Sequence, residues 1–327
     1  MKALQLVNYG KIENSLAFNE VEKPPLESTD IMIEVMAAAI NPIDKEIILG
    51  NLKSMLPLNF PATLAYDVSG TVIEKGNSVN NFQIGDEVYV RVPQEQMGTL
   101  AEYVAVKSDV VSKKPENISF EEASSFPLAA LTALQCLETV GIKKDHKILI
   151  HAGSGGVGSF AIQYAKDKGA YVYTTTSTVN VDWVKDLGAD KVIDYKTEDY
   201  KKIAKDADIV FDTLGHDYTV DAFEVLKKGG TVVSVKGPMD EKSAKEFGIS
   251  DYKLPEDLAK AIENKDAIYK FIWMHPDGEQ LKQIKTLIEA GKIKPVIDKI
   301  YPFSESIEAL KHLATGHAKG KIVIKIK

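Results

Sequence analysis

Three glycines carry the first chemical signal in this chain. In the run HAGSGGVG, Gly153, Gly155 and Gly158 are spaced as G-x-G-x-x-G, a spacing that lets backbone N–H groups face a pyrophosphate. Gly153 is expected to turn the chain sharply, Gly155 to let a phosphate approach without meeting a Cβ, and Gly158 to let the next helix sit closely on the sheet. Ser154, Gly156 and Val157 complete the loop. A lone glycine motif is weak evidence. Here a β-rich run, Ile148 to Ile150, precedes it, and Val157, Ala161, Ile162 and Ala165 follow at helical spacing.

A second polar group stands about 20 positions further on. Enzymes that take an unphosphorylated dinucleotide carry an acid there for the ribose 2′-hydroxyl. This chain instead has Thr174, Thr175, Thr176 and Ser177, with no carboxylate until Asp182. Hydroxyls without a charge favour a 2′-phosphate, so NADPH is the expected cofactor; the alternative is an ordinary polar strand-to-helix turn.

The elements that must hold these groups fall into two parts. From Met1 to about Ser119 the pattern is short strands broken by Gly and Pro, with Ile31–Val35, Val68–Glu74, Glu87–Val92 and Ala101–Val106 as the clearest. Beyond Phe120 strand and helix alternate, which predicts a doubly wound parallel sheet of the Rossmann type, an α/β fold. Its strands are expected at Lys147–Ala152, Tyr171–Thr175, Lys191–Asp194, Asp208–Asp212, Thr231–Val235 and Ile268–Met274, with helices ending at Gly169, Gly188 and Gly229. The charged stretch from Pro238 to Lys265 reads as a helical excursion. The expected domains are residues 124–278 for the cofactor-binding part, and 1–123 with 279–327 for the other.

Composition narrows the function classes. The chain has 327 residues and a formal net charge of −7, with both signs interspersed, so no basic face for nucleic acid or anionic membrane is expected. The longest greasy run, Ile31 to Ile40, is too short to span a bilayer and contains Glu34. Cys136 is the single cysteine, which excludes an intrachain disulfide and suits a reducing cytoplasm. The paired lysines Lys113-Lys114, Lys201-Lys202 and Lys227-Lys228 are expected on the solvated surface.

Taken in order, NPID (41–44), AYDVSG (65–70), GDEVY (85–89), GTLAEYVAV (98–106), SFPLAALTA (125–133), HAGSGGVG, LGADKVIDY (187–195) and GHAKGKIVI (316–324) resemble the medium-chain dehydrogenase/reductase superfamily. The nearest likeness is its zinc-free quinone oxidoreductase and alkenal (enone) reductase branch. The resemblance implies a GroES-like β-rich domain completed by the C-terminal tail, beside the Rossmann domain, and a homodimer joined at the edge strand near Ile268–Met274. Zinc-dependent relatives place Cys where Asn41 stands, a His-Glu pair where Tyr66-Asp67 stand, and a third ligand near Pro127 and Leu128. Of these only Asp67 is a metal-binding type, so no metal is expected.

The resemblance also implies site residues. Asn41 and Asp44 lie in the cleft beside the nicotinamide ribose and substrate, and Thr132 approaches the nicotinamide; the other reading makes Asn41-Pro42 a turn and Asp44 a helix cap. Tyr66 is either a packing tyrosine or a proton donor, solvent being the alternative. Ser177 and Asn180, the latter where relatives often carry Lys, and Tyr195 and Lys196 meet the 2′-phosphate. Lys319 and Lys321 either pair with that phosphate or are solvated. Leu214 and Gly215, Val235 and Lys236 sit at carboxyl ends of strands, where open α/β sheets bind ligands. Phe271 and Trp273 are expected to line an apolar substrate pocket, with core packing explaining at least one of them. Ile48, where relatives often have Arg, suggests a greasier rim. The function implied is hydride transfer from NADPH to a small-molecule acceptor, a quinone or an α,β-unsaturated carbonyl. The alternative is an NADPH-binding structural or sensor protein with little turnover.

Overall fold

The computed structural model describes residues 1–327. The chain divides into two compact units: Thr132–Met274, and Met1–Leu131 together with His275–Lys327.

The central unit is built on a six-stranded sheet. Across it run Lys191–Asp194, Tyr171–Thr176, Lys147–Ile150, Ala207–Asp212, Leu226–Ser234 and Ile268–Phe271. Every neighbouring pair is parallel. Sequence order therefore reverses at Lys147–Ile150, which leaves a crevice at the carboxyl ends of the first and fourth strands. Ile148, Leu149 and Ile150 are wholly buried, as are Val210 and Phe211, as expected of strands covered on both faces. Gly169 (φ 79°) and Gly188 (φ 103°) cap their helices in the left-handed region. Gly229 does not. The helix Asp217–Val225 passes directly into the strand Leu226–Ser234, where the register jumps from Ala207↔Leu226 to Ile209↔Thr231. Gly229, at φ 74°, falls in that irregularity, so its freedom serves a bulge and not a helix end. The last strand also stops early, at Phe271, leaving Trp273 beyond it.

The discontinuous unit carries a seven-stranded sheet. Its order is Ile297–Pro302, Lys321–Lys325, Asp30–Ile40, Asp67–Lys75, Glu87–Arg91 and Ser112–Lys113, with Tyr103–Lys107 also on Asp30–Ile40. The long strand Asp30–Ile40 serves two partners along one edge, Tyr103–Lys107 at its start and Lys321–Lys325 at its end. That register sets Ile322 opposite Ile40 and Asp67 opposite Ala39. Residues near both chain ends thus meet at Asn41. A smaller sheet of Leu16–Glu20, Lys2–Leu6 and Ala62–Thr63 shares the core with Ile31, Ile33, Val68, Val90, Ile322 and Ile324. Each such side chain contributes roughly 1.5–3 kcal/mol on burial. Ile48 belongs to this core and is fully buried, so it forms no rim. Lys114 is buried too, bonded to the carbonyls of Pro115 and Ile118; the surface expected for it holds for Lys113, Lys202, Lys227 and Lys228, with Lys201 half-buried.

Candidate functional site

The glycine loop is shaped by steric necessity at two positions and by open space at the third. A Cβ on Gly158 would lie 2.3 Å from the Ala152 carbonyl oxygen, and one on Gly153 would lie 2.2 Å from Thr174 Oγ1. Thr174 is fixed there by its bond to the Ile150 carbonyl (2.7 Å). On Gly155 a Cβ would find only the Ala152 oxygen, at 3.5 Å. The left-handed residue of this turn is Ala152, at φ 52°, just before Gly153, and the loop bears its strain of about 1 kcal/mol. Gly155 is the N-cap of the helix Gly156–Asp167, whose first turn holds no acid. The cap has no side-chain oxygen, so the first-turn N–H groups keep their capacity for an anion. The loop fits a dinucleotide pyrophosphate on this ground. Ser154, Gly156 and Val157 are half-exposed around it. His151, just upstream, is buried with Nε2 unpartnered, and burial pushes it down to about 4.

At the end of the second strand the hydroxyls are sorted. Thr174, Thr175 and Thr176 are buried, whereas Ser177 is half-exposed. Asn180 is buried, donating Nδ2–H to Ser177 Oγ (3.0 Å) and accepting from Trp183 Nε1 (3.0 Å). Ser177 therefore accepts from Asn180 and keeps its own O–H for another partner. Tyr195 and Lys196 are exposed on the adjacent loop. Asp194 also stands there, a carboxylate the sequence reading left out of the site. Hydrogen bonds from Thr178, the Lys196 N–H and Thr197 hold it below its ordinary range.

Further along the same strand ends, Asp212 organises the loop of Leu214 and Gly215. It is wholly buried, and its carboxylate accepts from the N–H groups of Leu214 and Gly215 (2.9 Å each), Thr219 Oγ1 (2.6 Å) and Ser234 Oγ (2.8 Å). Val235 follows Ser234, half-buried. A cavity of about 550 Å³ opens beside these turns, lined by His216, Thr219, Lys236, Pro238 and Leu258 among others. Thr132 is buried on the helix Pro127–Thr139. Phe271 is buried among Leu258, Tyr269 and Phe223 in the sheet's core, in keeping with core packing for one of the pair; Trp273 packs edge-on against Phe247.

The discontinuous unit holds a buried polar cluster. Asn41 precedes the helix Pro42–Ile48, and its N–H donates to Asp44 Oδ2 (2.7 Å), so Asp44 does cap the helix. The Asn41 side chain makes two further bonds: Nδ2 donates to Asp67 Oδ2 (2.9 Å), and Oδ1 accepts from Lys321 Nζ. Lys321 also donates to Asp67 Oδ2 and to the Ile40 carbonyl (3.1 Å each). Asp67 Oδ1 takes the N–H of Leu128 (2.8 Å). Asp44 Oδ1 has no partner, and burial pushes the Asp44 carboxyl up to about 7. Tyr66 is buried with the Arg91 guanidinium 4.5 Å from its ring centroid. Burial, with the Asp44 charge, drives its phenol above the ordinary range, the wrong direction for a proton donor at neutral pH. Lys321 is neither solvated nor available to a phosphate, against both readings offered for it; Lys319 is exposed.

Residues 27–116 match the family model for the alcohol dehydrogenase GroES-like domain, and residues 187–324 that for zinc-binding dehydrogenase. The 2-methylene-furan-3-one reductase of Solanum lycopersicum is 35% identical over 335 residues, covering 99% of this chain and 79% of that protein. The chain belongs to the medium-chain dehydrogenase/reductase superfamily. Within the superfamily it falls in the zinc-free oxidoreductase branch. The chloroplastic NADPH-dependent alkenal/one oxidoreductase of Arabidopsis thaliana is 34% identical over 335 residues, with the same coverage. A solved quinone oxidoreductase from Coxiella burnetii superposes with a TM-score of 0.88 at 35% identity, covering 100% of this chain and 99% of that one. The protein is an enzyme, an oxidoreductase using a nicotinamide dinucleotide and a small-molecule substrate.

The zinc named in one family model does not fit the donors found here. At the positions where zinc-dependent superfamily members carry ligands, Asn41 supplies an amide oxygen already bonded to an ammonium, and Tyr66 faces Arg91. Near Leu128 only a backbone N–H arrives, and Asp67 is committed to it, to Asn41 and to Lys321. A cation at Lys321 repels a metal and leaves no tetrahedral set of nitrogen or sulfur ligands. Neither Lys321 nor Arg91 was singled out from the sequence as part of this cluster. The one available signal was a lysine inside the apolar strand run Lys321–Ile324, where an unpaired charge is untenable.

Proposed function

We propose that this enzyme transfers hydride from NADPH to a quinone or to the conjugated C=C of an α,β-unsaturated carbonyl. The observation that carries the reading is the closed Asn41–Asp67–Lys321 arrangement at the superfamily's metal position. With that position filled by an ammonium, the protein offers no Lewis acid there to polarise an isolated carbonyl. The acceptor must be activated by its own conjugation. The names of the tomato and Arabidopsis relatives, both at 34–35% identity, agree with such acceptors.

The bound dinucleotide supplies the hydride. The chain's own residues then have two tasks. Charge grows on the acceptor's oxygen, and a nearby N–H donor lowers its energy; Asn41 is proposed for this. A proton must also reach the reduced acceptor. Asp44, with a free Oδ1 and a carboxyl pushed up to about 7, is the group able to carry a proton near neutrality, in preference to Tyr66. Thr132, Leu214, Gly215 and Val235 are proposed to border the dinucleotide, and Trp273 the acceptor. The preference for NADPH rests on Ser177 with its spare O–H, and on Lys196 and Lys319 as exposed cations.

Oxidation of NADPH, followed at 340 nm with a panel of quinones, alkenals and acrylates, tests the reading. Acceptor-dependent turnover with NADPH well ahead of NADH is expected. Tight NADPH binding with no turnover across the panel would instead favour a structural or sensor role, and equal use of NADH would remove the 2′-phosphate assignment. A homodimer is proposed through the outermost strand Ile268–Phe271, whose Ile268 is exposed; light scattering of an Ile268→Lys variant checks it. A cytoplasmic location is proposed from the single, buried Cys136. No helix is long and apolar enough to cross a membrane.

A further inference from the structure

We propose that Lys321 is a positioning residue for the reaction: its ammonium locks the Asn41 amide so that the side chain can offer its partner only an N–H. This rests on the functional reading above and specifies how Asn41 serves it.

An ammonium has three donors and no acceptor. All three meet oxygens, on Ile40, Asn41 and Asp67, and the side chain is only 6% exposed. The amide atom facing Lys321 must therefore be Oδ1, and the two ends of the Asn41 side chain cannot exchange. Nδ2 then spends one hydrogen on Asp67 Oδ2, and its second hydrogen meets no protein acceptor. Asp67 cannot rotate to release this arrangement, because Oδ1 is held by Leu128 N–H and Oδ2 by both Asn41 and Lys321. The three side chains form a closed ring in which each touches the other two. One polar hydrogen is left over, on a residue buried to 1% exposure. A buried donor without a partner is costly unless a ligand uses it.

Removing the ammonium breaks the ring in a definite way. Asp67 becomes an uncompensated buried charge, and the Asn41 amide gains freedom to present its carbonyl oxygen. A carbonyl facing an oxygen that is gaining negative charge opposes the reaction that the N–H assists. The reading predicts a loss in kcat transmitted through Asn41. Affinity for NADPH, whose pyrophosphate loop lies on the separate unit Thr132–Met274, should change little.

The experiment is a double-mutant cycle in kcat on the full chain, with Asn41→Ala, Lys321→Met and the two combined, using the best acceptor of the panel. Each single variant is expected to lose about 30-fold or more in kcat, as the loss of an oxyanion donor does. The combined variant should lose no more than about twofold beyond the worse single one, since both act through one group. Lys321→Arg keeps donors at the site and should recover part of the loss, and the NADPH dissociation constant should stay within about threefold throughout. Multiplying losses, or wild-type kcat in Lys321→Met, would overturn the proposal. Should Lys321→Met not fold, the cycle is run with Lys321→Gln. Should the wild type reduce no acceptor, the functional reading fails separately, and the ring is judged by the 15N side-chain resonances of Asn41. These are expected to be slowly exchanging in the wild type and to lose that protection in Lys321→Gln; an unchanged pair would sink the inference.

Discussion

Asp212 and Asp44 are both wholly buried, yet their surroundings differ. Asp212 receives four hydrogen bonds, two from backbone N–H groups and two from hydroxyls, so each oxygen is doubly satisfied. Asp44 receives one, from Asn41 N–H, and its other oxygen has none. Burial of a carboxylate costs several kcal/mol unless donors replace the lost water. The first aspartate meets that cost within the protein and acts as a staple between strand and loop. The second does not, and its carboxyl is pushed up to about 7 by burial. Saturation of a buried carboxylate marks a structural part, and an unfilled oxygen marks a place where a proton can come and go.

The sharpest way to break that contrast is at the staple. Asp212→Ala would leave four donors buried without an acceptor, and a loss of about 5 kcal/mol in denaturant unfolding is expected. A loss under about 1 kcal/mol would show that the four bonds matter little.

Asp44→Asn should act with the opposite sign. A carboxyl whose folded pKa lies above its unfolded value costs nothing when both states are protonated. As pH rises from about 4 to about 7 the unfolded state gives up its proton first, so wild-type stability declines across that window. The variant should lack this slope and gain on the order of 3 kcal/mol at pH 8, while losing turnover. Parallel pH–stability curves for the two proteins would contradict the assignment.

A smaller effect is expected at the glycine loop. Gly155→Ala places a Cβ in open space, so stability should shift by no more than about 0.5 kcal/mol while NADPH affinity falls about tenfold. Calorimetric titration of wild type and variant measures both. An unaltered dissociation constant would mean that no phosphate passes over that residue.

Most of the Rossmann half was legible in the sequence, because its signals are local: apolar runs of four to six residues, glycines after helices, and the glycine motif between them. All six strands were anticipated, Lys191–Asp194 with both ends correct and the others with one end or both displaced by one to five residues. Gly229 misled because a positive φ serves a bulge as readily as a helix cap. Ala152, a residue outside the glycine motif, carries the left-handed conformation in the loop, and glycine spacing does not reveal it. The buried cluster was far less readable. Lys321 meets Asn41 and Asp67 across 280 and 254 residues of chain, and no local pattern records a pairing set by strand register. For Phe271 and Trp273 the alternation along a strand indicates that one of the pair packs in the core but not which; the structure puts Phe271 there.

The arrangement of the seven-stranded sheet bears on biosynthesis. Its strand Lys321–Lys325 slots between Ile297–Pro302 and Asp30–Ile40, while the six-stranded unit is encoded without interruption between Thr132 and Met274. As the polypeptide leaves the ribosome, the middle portion can fold while the earlier one still waits for its missing strand. The ammonium at Lys321 arrives with that strand, so the nascent chain can complete its glycine loop before the cluster of Asn41, Asp67 and Lys321 closes.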